Sequence, residues 1–130
     1  MARTVNDEIQ RLNDSSAWVR QSACLALGRI RDQQAIAPLV GKLYDPEPMV
    51  RHAAGKALVL IGPPSVPALI QVAGSGPDSL TTRIVCRALG RLRDNSASGV
   101  LITLLGNFDQ TIRAASKGAL IQLGEKILAI

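Results

Sequence analysis

At 130 residues the chain is long enough for one ordinary domain with a substantial core, and 47% of it is apolar although only Trp18, Tyr44 and Phe108 are aromatic. Ala, Leu, Ile and Val must therefore build that core, a mixture suited to close-packed helices, while two cysteines exclude a disulfide framework and a four-cysteine zinc site. The excess of 15 Lys and Arg over 10 Asp and Glu gives a net charge of +5, which permits nucleic acid or an acidic partner and requires neither.

The first predicted element is a helix over residues 4–13, with Val5, Ile9 and Leu12 on one side. Residues 14–43 then hold a helix A, carrying Val19, Ala23, Ala26, Leu27 and Ile30 on one face, and a shorter helix B, carrying Ile36, Leu39, Val40 and Leu43. The pair returns at about 44–74, 75–105 and 106–130, the last copy being incomplete. The period is 31 residues: Val19, Val50, Thr81 and Ile112 share one column, Ala26, Ala57, Ala88 and Ala119 another, and Leu27, Leu58, Leu89 and Leu120 a third. The near-identical strings ALGRIRD at 26–32 and ALGRLRD at 88–94 are thus the same helix end in the first and third repeats.

Punctuation agrees with this division. Pro48 follows Glu47 at the start of the second helix A, and Asp78 and Asp109 occupy the column of Glu47. Gly62 and Gly124 are read as C-terminal glycines of the second and fourth A helices, with Pro63, Pro64 and Pro67 reinforcing the break after Gly62. Residues 4–13 match a helix B without its A partner, so this helix is expected to cap the stack, with Glu8, in the column of Leu39, facing water on its outer side. At the other end EKILAI begins a fourth helix B and stops. Ile127, Leu128 and Ile130 therefore mark either a fragment boundary or an apolar end for another copy or chain, and self-association is expected there.

No run approaches the ~20 uncharged apolar residues of a membrane span. MARTVNDEIQ lacks the apolar stretch of a secretory signal, so a soluble, cytoplasmic protein is expected.

The unit DPEPMVRHAAGKALVLIG resembles the HEAT repeat, in particular the short HEAT-like class of phycobiliprotein lyases and many bacterial scaffolds. The matching residues are Asp45, Val50, Arg51, Ala53, Ala54, Ala57 and Leu58, and in the first copy Asp14, Val19, Arg20, Ala23, Ala26, Leu27 and Gly28, then Ala35, Ile36, Pro38 and Leu39. The resemblance covers essentially the whole chain. It implies an all-α fold, a right-handed α-solenoid of about four HEAT-like helix pairs forming one domain. It also implies that the aspartate and arginine columns pair between neighbouring repeats. The third repeat departs from both columns, with Gly76 for the aspartate and Thr82 for the arginine, which implies a weaker or differently angled junction.

Candidate chemistry is sparse. His52 has Gly55 and Lys56 at i+3 and i+4 and reads as a solvated helix residue. Cys24 and Cys86 share a column two repeats apart, which separates their sulfurs by roughly 20 Å, beyond disulfide reach, and they read as small helix-surface fillers. There is no phosphate loop, nucleophile elbow or zinc-type spacing. No catalytic residue, metal or cofactor is assigned from the residues.

The surfaces carry the functional expectation. In stacks of this kind the B helices line the concave face, and here it grades from polar to apolar through Arg11, Lys42, Gln71, Val72, Val100, Thr103 and Leu104. The leading expectation is a non-enzymatic scaffold or adaptor that docks a protein partner on that face, with Val72, Val100 and Leu104 exposed. The resemblance implies an alternative, a phycobilin lyase or lyase accessory subunit. A second alternative is nucleic-acid or acidic-partner binding by a convex basic ridge of Lys56, Arg83, Arg87, Arg91 and Arg93.

Overall fold

The computed structural model describes residues 3–128, with side-chain surroundings through residue 124. Among the described residues the protein is all-helical. Helices α1 (Val5–Arg11), α2 (Ala17–Ile30), α3 (Ile36–Lys42) and α4 (Pro48–Ile61) belong to a compact unit, Met1–Ser65. Helices α5 (Val66–Gly74), α6 (Ser79–Leu92), α7 (Ser98–Leu104) and α8 (Gln110–Leu128) belong to a second, Val66–Ile130. In each unit a short B helix lies against the A helix that follows it: α1 on α2 and α3 on α4, then α5 on α6 and α7 on α8. The two A helices of a unit also pack on one another, α2 on α4 and α6 on α8.

Local chemistry explains where helices start. Thr4 and Asp7 form a reciprocal cap on α1, each backbone N–H bonding the other's side chain at 2.9 and 3.1 Å. Asp78 accepts from the Thr81 N–H at the start of α6. Asp32 and Asp94 accept from the N–H groups two residues on, at 2.8 and 2.9 Å, and so set the short 3₁₀ turns that lead into α3 and α7.

The ends follow a column of their own. Arg31, Gly62 and Arg93 are 31 residues apart and all have positive φ, at 62°, 98° and 56°. The expected glycine stop holds at Gly62, where Pro63 and Pro64 cannot continue a helix. It fails at Gly124. There the next residues are the helix formers Glu125 and Lys126, and α8 runs unbroken from Gln110 to Leu128. No separate fourth B helix exists among the described residues. The side chains of Ile127 and Leu128, and Ile130 as a whole, lie outside the described residues, and with them the apolar end expected to self-associate.

The repeating columns form the core. Leu27, Leu58 and Leu89 are fully buried, and so are Leu39, Leu69 and Leu101 of the B helices. Truncating one such leucine to alanine costs about 2–5 kcal/mol. Two expectations need correction here. Cys24 and Cys86 are wholly buried rather than on the helix surface. An A helix in a stack packs on a B helix with one face and on a neighbouring A helix with another, so a second stripe of small residues goes inside. Glu8 is likewise buried, at 3% exposure, because Arg11 neutralises it from one turn away through hydrogen bonds of 3.0 and 3.2 Å. It does not face water.

Close approach of A helices depends on glycine. A Cβ at Gly28 would lie 2.8 Å from the Ala57 Cα, and one at Gly90 would lie 2.9 Å from the Ala119 Cα and collide with the Gln122 side chain. Gly28 and Gly90 are the third residues of the twin ALGR strings, so what recurs at 62 residues is the tight A–A contact inside each unit.

The arginine column holds the turns. Arg20 donates to the carbonyls of Asp14 and Ser15 and to both oxygens of Asp45, and Arg113 donates to the carbonyls of Asn107 and Phe108. In the third repeat, where arginine is absent, the Thr82 hydroxyl donates to the Pro77 carbonyl at 3.2 Å, a neutral version of the same link made by a shorter side chain. Within the second unit the charged tie between repeats is replaced by the Ser79 hydroxyl donating to Asp109 at 2.6 Å.

Candidate functional site

The seven positions expected to form a concave docking face do not present one uniform surface. Val72 and Leu104 are buried, at 5% and 9% exposure, so the apolar column expected to be exposed belongs largely to the core. Helices α5 and α7 are only nine and seven residues long, and such short helices bury more of their circumference than a single stripe. Arg11 is occupied by Glu8. Lys42 stands 3.7 Å from Asp45 and joins Arg20 around that carboxylate. Gln71 and Thr103 are exposed, Val100 half-buried, and the Thr103 hydroxyl bonds its own helix at the Gly99 carbonyl. Ile102, beside them on α7, is 58% exposed.

Charge concentrates around Asp45. Burial works to raise its carboxyl, but hydrogen bonds from Arg20 and the Glu47 N–H, with the charges of Arg20 and Lys42, outweigh it and hold the group below the usual carboxylate range. The hydrogen bond to Asp45, with the nearby carboxylate charges, raises Arg20. This cluster is structural: Asp45 is almost fully enclosed and all of its partners are accounted for by the turn and the helix ties.

Each residue expected on a basic ridge is exposed: Lys56 on α4 in the first unit, and Arg83, Arg87 and Arg91 on α6 with Arg93 as its cap in the second. Arg83 and Arg87 stand out because they wall a recess. A cavity of about 510 Å³ opens between α6 and α8, lined by Arg83, Arg87, Thr111, Ala114, Ala115, Gly118, Ala119 and Gln122. The columns explain why it exists. Positions equivalent to Arg83 and Arg87 are Gln21 and Leu25 on α2 and His52 and Lys56 on α4, but Ala114 and Gly118 on α8. Small residues there leave the space beside the two arginines unfilled, and a Cβ at Gly118 would meet nothing within 4 Å. No carboxylate lines the recess, and neither arginine has an ion pair or hydrogen bond among the described residues.

Other candidate groups are quiet. His52 is exposed. Burial pushes the Cys24 thiol up to about 12 and the Cys86 thiol up to about 11, far from a nucleophile at neutral pH. Among the described residues no three His, Cys, Asp or Glu side chains come together to hold a metal, and no helix is long and apolar enough to cross a membrane. The recess could have been sought in the sequence by comparing columns between A helices, because its signal is the pair of small residues facing the pair of arginines.

Paired short and long helices, packed A on A and B on A at a 31-residue period, define an α-helical repeat protein. A family model described as HEAT repeats matches residues 6–84, more than half of the chain, and the chain belongs to that family. Relatives of two kinds are similar to the chain. Deoxyhypusine hydroxylase of Gallus gallus is 51% identical over 55 residues, covering 41% of this chain and 18% of that protein. The human deoxyhypusine hydroxylase structure, in complex with glycerol, superposes with a TM-score of 0.81 over 95% of this chain and 44% of that one; at 20% identity this shows the fold. Phycocyanobilin lyase subunit alpha of Picosynechococcus sp. is 28% identical across 94% of this chain and 50% of that protein. The complex of CpcE and CpcF of phycocyanin lyase from Nostoc sp. matches with a TM-score of 0.70 and 25% identity, over 96% of this chain and 55% of that one. The chain thus spans from under a fifth to about half the length of the relatives it matches in sequence.

These likenesses correct the leading expectation. The relatives are an enzyme and a subunit of one, so the reading of a non-enzymatic scaffold, and of no enzymatic role, is overturned. The repeating residues record packing, and packing is common to scaffolds and enzymes alike.

Proposed function

We propose that the chain is a HEAT-repeat subunit of a lyase that attaches a phycobilin-type chromophore to a protein, or a part of such a subunit, and that it acts together with a second protein. The observation that carries this reading is the likeness to phycocyanobilin lyase subunit alpha, which runs along 94% of the chain in sequence, where the hydroxylase sequences match from 41% to 61% of it. The two-protein complex of CpcE and CpcF supports joint action with a partner. Contact with that partner falls on the open B-helix residues of the second unit, Gln71, Val100, Ile102 and Thr103. The chain's own part is to bind and orient the chromophore, since its two thiols are buried and hold no activated nucleophile.

Co-expression with phycocyanobilin, phycocyanin and the remaining lyase subunit, this chain replacing subunit alpha, tests the reading. A coloured covalent adduct on phycocyanin is expected. Colourless phycocyanin would overturn it.

A further inference from the structure

We infer that the recess between α6 and α8 binds the paired carboxylates of an open-chain tetrapyrrole, with Arg83 and Arg87 as the two anchors; this rests on the chromophore-handling reading above.

Four observations converge on it. Arg83 and Arg87 are one helical turn apart, which places their Cβ atoms about 5–6 Å from one another on the same side of α6. Both are exposed, and both lack any hydrogen bond or ion pair among the described residues, so their donors are available to a ligand. The space beside them is about 510 Å³, within the ordinary range of small-molecule sites of roughly 300–1,000 Å³. Its floor is made of Ala114 and Gly118 and carries no charge, while Thr111 and Gln122 add neutral hydrogen-bonding groups.

The ligand chemistry follows from that layout. Two guanidinium groups one helical turn apart match two carboxylates on one edge of a molecule, because each planar fork can donate to both oxygens of a carboxylate. A floor of small apolar residues fits a flat, largely apolar body lying against a helix. An open-chain tetrapyrrole has that outline: two propionates on adjacent central rings, on one edge of a conjugated ring system. A polyphosphate or nucleic-acid strand matches less well, since the floor offers it no cation and the protein's aromatic residues Trp18, Tyr44 and Phe108 are not among the lining.

Gly90 takes part indirectly. The Gln122 side chain lies where a Cβ at Gly90 would project, so the glycine of the second ALGR string leaves room for the side chain that closes one end of the recess.

Binding of phycocyanobilin and of its dimethyl ester to the purified chain, followed by the chromophore's absorbance and fluorescence, tests the inference. The free acid is expected to bind, and the ester, which lacks both negative charges, to bind at least about tenfold more weakly. Arg83→Gln with Arg87→Gln should weaken the free acid by about tenfold, the combined effect of two solvent-screened contacts, and leave the ester unchanged. Gly118→Leu, at an open position of α8, should fill the floor and weaken both. Circular dichroism checks that each variant stays helical. Equal binding of acid and ester, or of wild type and the double variant, would overturn the groove assignment while leaving the lyase reading intact. Absence of any bilin binding would overturn the groove as well. Failure of the co-expression alone, with groove binding retained, would remove the lyase reading only.

Discussion

Arg20 donates from Nε and Nη2 to the two carboxylate oxygens of Asp45, at 2.9 and 3.2 Å, and so ties helix α2 to the turn that begins the second repeat. The carboxylate is almost fully enclosed, and it also accepts from the Glu47 N–H. Removing the arginine strands a buried charge, whereas removing the charge leaves the guanidinium its two backbone carbonyls. Arg20→Leu is therefore expected to lower the urea midpoint of unfolding more than Asp45→Asn. Equal midpoints would show that the carboxylate finds sufficient partners in Lys42 and the turn.

Helix approach at Gly28 leads to a second expectation. A methyl group there meets the Ala57 backbone at 2.8 Å, so α2 and α4 must separate. Gly28→Ala should cost about 1–3 kcal/mol, the usual cost of overpacking. Gly41, on α3 with nothing within 4 Å of its Cβ, is the internal control: Gly41→Ala should stabilise by about 0.4–1 kcal/mol, because alanine restricts the unfolded chain. Thermal melts of the two variants should move in opposite directions.

Thiol reactivity provides a third. With Cys24 raised to about 12 and Cys86 to about 11 by burial, almost no thiolate exists at pH 8 and neither sulfur is reachable. A disulfide reagent such as Ellman's should release no colour from the native protein over minutes and two equivalents in denaturant. Rapid release from the native state would place one of the cysteines outside the core.

Acid sensitivity is the fourth. Hydrogen bonds from the Ser79 hydroxyl and from the Thr111 hydroxyl and N–H hold Asp109 down at about 2, against about 3.9 for an unfolded aspartate. The folded value lies below the unfolded one, so this contribution is complete above about pH 4 and is lost as pH falls towards 2. Asp45, also lowered, acts in the same direction. The melting temperature should drop steeply below pH 4. Asp109→Asn should start lower at neutral pH and show a shallower fall between pH 4 and pH 2.

Much of the fold was legible because packing repeats. Leu27, Leu58 and Leu89 had to recur at one spacing for each A helix to meet the same neighbours, and they are fully buried. Surfaces were less legible. Val72 and Leu104 fall outside the single apolar stripe that helical spacing defines on each B helix, and Cys24 and Cys86 outside that of each A helix, yet all four are buried because each helix packs on more than one side. Gly124 resembled Gly62 in position but not in its followers, and a glycine stops a helix only when the residues after it cannot go on. The recess was hidden for another reason: it consists of what Ala114 and Gly118 lack, and a cavity is a property of two helices rather than of either sequence.

Thr82 carries a consequence for the solution behaviour of the chain. Its hydroxyl secures the third turn without charge, while Arg20 and Arg113 secure the first and fourth with one. Ionic strength screens a guanidinium and leaves a hydroxyl untouched. Added electrolyte therefore weakens the links at residues 14–20 and 107–113 more than the Thr82–Pro77 link, so amide exchange in concentrated salt should speed up more in the first and fourth of these turns than in the third.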